Sequence, residues 1–408
     1  VHGVLAFLRT LLLGTLMLLT GATGFTVFMD PFDWWGTPRI EGLNARRSGG
    51  NEHVSWVKPR QYARGAPWGA VVAGNSRVQL GFDPDAAAWP EALRPVYNFG
   101  LPGASFPALV DRLEWTLPEA PPPVLMVGLD LVDFRVSAEE WAAWRPGPRP
   151  ALSAGVRIER MLQATFSLDA LNAAIAAVPQ QRSAFPADMT AAGFVPMRPY
   201  ELLARRIGQA AMFDQRNREN FANYLERPKA VRWPGPGGSD AWAALDRLKA
   251  LADAHDIRLI VFTYPYHRDL LVGLDRAGLS PALADFRLAV AQWGQQHGVE
   301  AWDFTRLNAW TTVRIPEPGD RTTLLQDYWE AGHFRAAMGE RMVAAMLSGQ
   351  APPGFGARLS VAEAQRVNAG WQAGLAAALH ADPAGTARME RLYARAEGRD
   401  RRPMPPSS

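Results

Sequence analysis

Short apolar runs alternate with longer amphipathic stretches over most of this chain, beginning near Trp68. The runs are AVVAG (70–74), PVYNF (95–99), PVLMVGL (123–129), IRLIVFTY (257–264) and VEAWDF (299–304). Each is too short for a helix and rich in β-branched or aromatic residues, as a strand buried on both faces should be. Between them, Phe106, Leu109, Val110 and Leu113 recur at helical spacing within 104–117. Trp242, Leu245, Leu248 and Leu251 do the same within 240–255, behind Ser239 as an N-cap, and 281–297 repeats the theme. Strands alternating with helices predict an α/β fold: a parallel sheet with helices on both faces. No fixed-period repeat is present.

Three regions depart from this alternation. The first is an uncharged apolar stretch from Leu11 to Met29, with Arg9 before it and Asp30 after it. As a helix it would span about 28 Å, enough for a bilayer core. The cation on one side and the acid on the other predict a cytoplasmic N-terminus. The expected arrangement is therefore a single-pass inner-membrane anchor at 1–30, with the rest of the chain in the periplasm. Thr20-Gly21-Ala22 makes a poor cleavage site, so a signal peptide stays open as a second reading and a buried core helix as a third. Residues 31–66 read as a neck whose Trp34 and Trp35 suit a membrane interface. The second region, about 145–236, opens on Arg145-Pro146-Gly147-Pro148-Arg149-Pro150 and closes on Trp233-Pro234-Gly235-Pro236. It reads as an insertion of two helical segments between the third and fourth strands, in the position of a lid. The third follows the α/β domain proper (67–350): residues 351–408 are expected to form a peripheral helical extension with a disordered tail.

Composition narrows the function classes. At 408 residues, one large domain with additions and two domains are equally compatible with the length. Apolar and charged fractions of 48% and 20% allow a full core. Net charge is only +3 and the basic residues are spread out, so no run is dense enough to track phosphates, and a nucleic-acid partner is not expected. The chain has no cysteine, which excludes disulfides, thiolate metal ligands, a cysteine nucleophile and a lipidated N-terminal cysteine.

In an open parallel sheet, ligands bind beyond the carboxyl ends of the strands. That rule sorts the seven histidines. His2, His53 and His380 lie in the anchor, neck and tail, while His255 and His297 precede strands and so sit at the opposite edge. His267 and His333 remain. Ser76 follows the first strand through Gly74-Asn75, where a sharp turn can expose both its hydroxyl and its own N–H. The loop Asn98 to Ser105 after the second strand is rich in small residues and reaches the same edge with Gly103. Glu330 lies three residues before His333, where one helical turn could bring the acid to Nδ1 and leave Nε2 free to take a proton. Each element alone also fits an ordinary turn, cap or surface pair.

In this chain order the three elements resemble the SGNH hydrolase/acyltransferase superfamily. Gly74-Asn75-Ser76 matches its first block, Gly103 its second-block glycine, and Glu330…His333 its final acid-x-x-histidine. The anchored branch that includes proteins of alginate-type polysaccharide O-acetylation is the most similar, through Gly74-Asn75-Ser76-Arg77, the run Tyr328 to Phe334, and the N-terminal anchor. The resemblance implies a flavodoxin-like sheet and a Ser76–His333 pair oriented by Glu330. It further implies oxyanion donors at Ser76 and Gly103, no cofactor, an extracytoplasmic glycan substrate and an integral-membrane acyltransferase as partner. Three departures stand out: Asn75 and Glu330 each replace an aspartate, and Asp130 occupies the third block, where an asparagine amide normally faces the oxyanion. An ionised Asp130 would repel that charge. A glycan-binding or assembly scaffold with a decayed site is therefore the alternative to an enzyme. Arg77, Asn98, His267 and Asp327 are the remaining substrate-binding candidates; Arg77 fits equally well a pairing with Asp130 or Asp133 that keeps the pocket neutral, and His267 a structural hydrogen bond. His267, His333, Asp327 and Glu330 lack metal-ligand spacing, so no metal is expected.

Overall fold

The computed structural model describes residues 2–47, 50–65, 67–147, 153–185, 189–226 and 228–400. The tail expected to be disordered beyond 400 and the Pro148-Arg149-Pro150 part of the insertion's opening lie outside the described residues. In chain order the strands are β1 (Ala70–Gly74), β2 (Val96–Gly100), β3 (Val124–Leu129), β4 (Arg258–Thr263), β5 (Glu300–Asp303), β6 (Tyr328–Glu330), β7 (His333–Phe334) and β8 (Ala357–Arg358). The first half of the chain carries helices α1 (His2–Met29), α2 (Gly50–Gly65), α3 (Ser76–Gly81), α4 (Phe106–Thr116), α5 (Leu131–Phe134), α6 (Ala138–Ala143), α7 (Ala154–Phe166) and α8 (Leu168–Gln180). The second half carries α9 (Arg198–Ile207), α10 (Gln209–Glu226), α11 (Asp240–Ala254), α12 (Arg268–Arg276), α13 (Ser280–His297), α14 (Ala336–Ser348), α15 (Val361–Ala381) and α16 (Pro383–Asp400).

The chain forms two compact units, one of Val1–Ala66 with Arg149–Pro199 and one of Pro67–Pro148 with Tyr200–Ser408. The second unit is an α/β domain. Its main sheet has the order β2-β1-β3-β4-β5-β8, parallel except for the two-residue edge strand β8. All five apolar runs form the strands expected of them, and β1, β2 and β3 are buried along their whole length. The helices between them also follow the apolar spacing. α4 buries Phe106, Leu109, Val110 and Leu113, and α11 buries Trp242, Leu245, Leu248 and Leu251 with Ser239 as its cap. The chain moves from β1 outward to β2 and then returns to place β3 on the other side of β1, which opens a crevice at the carboxyl edge between β1 and β3. Two glycines let Tyr264 lie under that crevice. A Cβ at Gly74 or Gly128 would stand 2.5 Å or 2.3 Å from its hydroxyl oxygen, so any larger residue there would displace the ring.

Among the described residues, the region 145–236 holds four helices where the sequence pattern suggested two. Ser167 ends α7 and caps α8, accepting from Ala170 N–H at 2.9 Å, and Gly208 at φ 84° separates α9 from α10. The α7–α8 pair belongs to the first unit and the α9–α10 pair to the second. The C-terminal helices are not peripheral as expected. Arg388 of α16 donates to the fully buried Asp269 of α12 at 2.6 Å, and Arg268 pairs with Asp382 at 2.7 Å. Such buried pairs need several partners to offset desolvation, which ties these helices into the domain.

In the first unit α1 is longer than the apolar stretch that announced it, running through Arg9 to His2. It is long and apolar enough to cross a membrane, and its large apolar residues from Val4 to Leu19 are exposed. At its end Asp30 and Asp33 are buried against Arg47, with Asp30 also accepting from Trp34 N–H at 2.7 Å.

Candidate active site

The carboxyl end of β1 carries the first reactive group. After Gly74 the chain turns at Asn75, whose side-chain oxygen accepts from Arg77 N–H at 3.0 Å and so caps α3. Ser76 is the first residue of that helix and stays partly exposed. An N–H in the first turn has no intrahelical acceptor, so the Ser76 amide is available beside its own hydroxyl.

The second group arrives on a different local structure from the one expected. Glu330 and His333 are not one helical turn apart. They face each other across the β6–β7 hairpin, with Ala331-Gly332 as its two-residue turn, and helix α14 begins only at Ala336. The aromatic-rich run Tyr328 to Phe334 favours a paired strand over a helix start. Gln209, itself buried, fixes the hairpin by donating to Tyr328 O at 2.7 Å and accepting from Leu325 N–H at 2.8 Å.

Ser76 Oγ lies 2.7 Å from His333 Nε2, and His333 Nδ1 is hydrogen-bonded to Glu330 Oε1. A carboxylate only accepts, so the ring proton sits on Nδ1 and Nε2 is left to accept from the serine hydroxyl. Glu330 is 3% exposed. Its second oxygen accepts from Gly332 N–H at 2.7 Å, and Arg216 Nε of α10 stands 3.3 Å from the first. Burial alone would push the Glu330 carboxyl up, but His333, Arg216 and the Gly332 amide outweigh it and hold its pKa below the ordinary glutamate value. The acid is thus kept ionised where it must orient the imidazole. This arrangement can pass a proton from Ser76 to His333 and back.

Asp130, at the end of β3, is buried and does not point an unpaired charge at Ser76. Its carboxylate is ion-paired with Arg77 and accepts from Asn75 Nδ2 at 2.9 Å, from the Tyr266 hydroxyl at 2.5 Å and from Val132 N–H at 3.3 Å. Arg77 in turn donates through Nε to Gly332 O at 2.8 Å and lies over the Tyr266 ring. Burial would lower the Arg77 pKa, but Asp130 outweighs it and the guanidinium is held above its ordinary value. Burial and Asp130 together push the Tyr266 phenol up, so it stays protonated and donates. Asn75, Arg77, Asp130 and Tyr266 therefore form a polar hub that links the ends of β1 and β3 to the turn of the β6–β7 hairpin.

The remaining candidates separate. Gly103 lies at φ 71° in the loop after β2, with open space where a Cβ would stand, and Leu101 N–H ties that loop to Gly74 O at 2.8 Å. Arg77 is committed to Asp130 and Gly332 and is not a free substrate-binding cation. Asn98 is fully buried and donates to Val78 O and Phe82 O at 2.8 Å and 2.7 Å, which closes the end of α3 onto β2. His267 is also fully buried: it caps α12 through Nδ1 and donates from Nε2 to Val313 O at 2.8 Å. Burial lowers its pKa, and it is a structural residue behind the hairpin. Asp327 pairs with Arg341 and not with His333. The substrate-binding expectation for Asn98, His267 and Asp327 is thereby replaced by structural roles. Comparison with protein-family models, curated proteins and solved structures finds no match for this chain. Residue patterns alone missed Arg216 and Gln209. Both sit on a polar helix more than a hundred positions from the hairpin they hold, and nothing in their local sequence marks them.

Proposed function

We propose that this chain is a membrane-anchored, extracytoplasmic acyl-ester enzyme of SGNH type, an O-acetyltransferase or esterase acting on a glycan. The observation that carries the reading is the Ser76 Oγ to His333 Nε2 distance of 2.7 Å with Glu330 on the far ring nitrogen. The 2-1-3-4-5 order of the parallel strands, which is that of flavodoxin-like sheets, supports the same reading. So does α1 for the anchor. In this mechanism Ser76 Oγ attacks the acyl carbonyl carbon while its proton passes to His333 Nε2. The resulting oxyanion is met by the Ser76 and Gly103 N–H groups. Collapse expels the leaving alcohol, which takes the proton from His333, and leaves an acyl-serine. A glycan hydroxyl or water then attacks the acyl carbon and gives its proton to His333 Nε2, which returns it to Ser76 Oγ as the acyl–serine bond breaks. An integral-membrane acyltransferase would supply the acyl group for transfer.

A binding scaffold with a decayed site is the second reading, favoured by one observation: Asp130 offers an acceptor where an amide donor would assist the oxyanion. Its pairing with Arg77 weakens that objection, because the charge is compensated on the spot. The deciding experiment is acyl labelling of the purified protein with an activated acetyl ester, read by intact mass. One acetyl adduct is expected, absent in Ser76→Ala and His333→Ala. No adduct under conditions that label a serine esterase leaves the scaffold.

A further inference from the structure

The α7–α8 pair in the first unit is built inside out. Residues that α8 buries are small, Ala170, Ala174 and Ala177, whereas the large Leu168, Ile175 and Val178 are exposed and Leu171 is half-buried. Ile158, Leu162 and Phe166 form an exposed stripe at four-residue spacing along α7, and Leu168, Ile175 and Val178 form another along α8. Phe166 and Leu168, on either side of the bend at Ser167, are 64% and 78% exposed. In water this arrangement would be costly. In lipid it is the expected one, with small residues where helices meet and large aliphatics toward the acyl chains.

Position agrees with this. Both helices pack on α1, and Ala174 and Ala177 cluster with Met29 and Phe25 in its last turns. The exposed stripes thus lie on helices packed against the last turns of the helix long enough to cross a membrane. The charged groups nearest the bend have partners: Asp169, itself exposed, pairs with His53 at 2.9 Å, and Arg160 lies 4.8 Å over the Trp56 ring. Arg157 and Glu159 lie in the first half of α7, away from the bend.

Topology decides how the pair meets the bilayer. The two helices, bent by 48°, are together apolar enough to span it once. Strand β3 precedes them and β4 follows them, yet these strands pair in parallel within one sheet. A single crossing between them would put the two strands on opposite sides of the membrane. The chain must leave by the face it entered.

We infer that α7 and α8 form a bent, non-crossing pair that lays its exposed stripes and its Phe166-Ser167-Leu168 bend into one leaflet beside the end of α1 and holds that unit against the lipid. This rests on the helices and not on the proposed chemistry. Because the chain lacks cysteine, single-cysteine variants carry unique spin labels. Leu162→Cys, Phe166→Cys, Leu168→Cys and Ile175→Cys are made in the full chain. Leu16→Cys in α1 serves as the lipid reference and Glu119→Cys as the water reference. Each is reconstituted alone, at high lipid excess, in phosphatidylethanolamine–phosphatidylglycerol vesicles. Collisions with a water-soluble nickel complex should fall about tenfold or more at 166 and 168 relative to 119, as for a polar solute excluded from hydrocarbon. Collisions with oxygen should stay as high as at 16. Free access of the nickel complex overturns the proposal and assigns the face to a protein partner. Exclusion of both nickel and oxygen overturns it in favour of a second copy of this chain.

Discussion

The two units use the same apolar residue types in opposite ways. In the α/β unit, Val71, Leu125, Ile260 and Val261 fill a dry interior, and polar groups gather at one edge of the sheet. In the helical unit, alanines fill the interior of the α1–α8 contact and Ile158, Leu162 and Leu168 look out. On the membrane placement proposed above, what differs is the solvent. Water drives large aliphatics inside, while lipid exerts no such force and leaves close packing of small residues to hold helices together. The polar side shows the same contrast. At the sheet edge, Glu330 and Asp130 are each buried and met by a cation, and each organises a loop. In the helical unit, Asp30 and Asp33 do this only past the end of α1, where the apolar run stops.

Several substitutions test this contrast, the largest effect first. At the sheet edge, Ser76→Ala and His333→Ala should each lower ester turnover by about 10⁴-fold or more, and the double variant should be little worse, because the pair acts as a unit. Additive losses in steady-state kinetics would show two independent roles. Asp130→Asn should not improve the site. It leaves the buried Arg77 guanidinium without its counter-ion and should cost about 3–5 kcal/mol in denaturant unfolding. Higher activity at unchanged stability would mean that the amide serves the oxyanion and that the polar hub is dispensable.

In the helical unit, neighbouring positions should behave oppositely. Ala174→Leu overfills the contact with Met29 and should cost about 1–3 kcal/mol. Ile175→Ala, one residue on and 54% exposed, should change stability by under about 0.5 kcal/mol in vesicles. Equal costs at the two positions would mean that Ile175 packs against protein. The smallest effect is a pH dependence. Because the folded pKa of Glu330 is depressed, its stabilisation is full above the unfolded value of about 4.3 and is lost as pH falls through the folded value. The stability gap between wild type and Glu330→Gln should therefore close only in acid. A gap that persists below the folded value would assign the effect to packing.

Most of the α/β framework is legible in local pattern. Strand and helix periodicity reports which faces are buried, and burial is what places β1 to β5 and the helices between them. Ser76, Glu330 and His333 are legible too, because a strand-end turn and a short acid-to-histidine spacing are local features. The hairpin that carries Glu330 and His333 is not, since a three-residue spacing suits a helical turn and a tight β-turn equally well. Pairing partners are also hidden from pattern. Arg77 reads equally as a substrate cation or a partner of Asp130 or Asp133 until Asp130 and Gly332 take its donors, and His267 reads as a substrate-binding or structural residue until its ring closes a helix cap. Only the tertiary structure could show which side of α7 and α8 faces outward, because an apolar stripe looks the same whether protein or lipid covers it. Local sequence determines how a segment buries its own surface, whereas the partner that meets each charge or stripe is chosen by contacts between residues far apart in the chain.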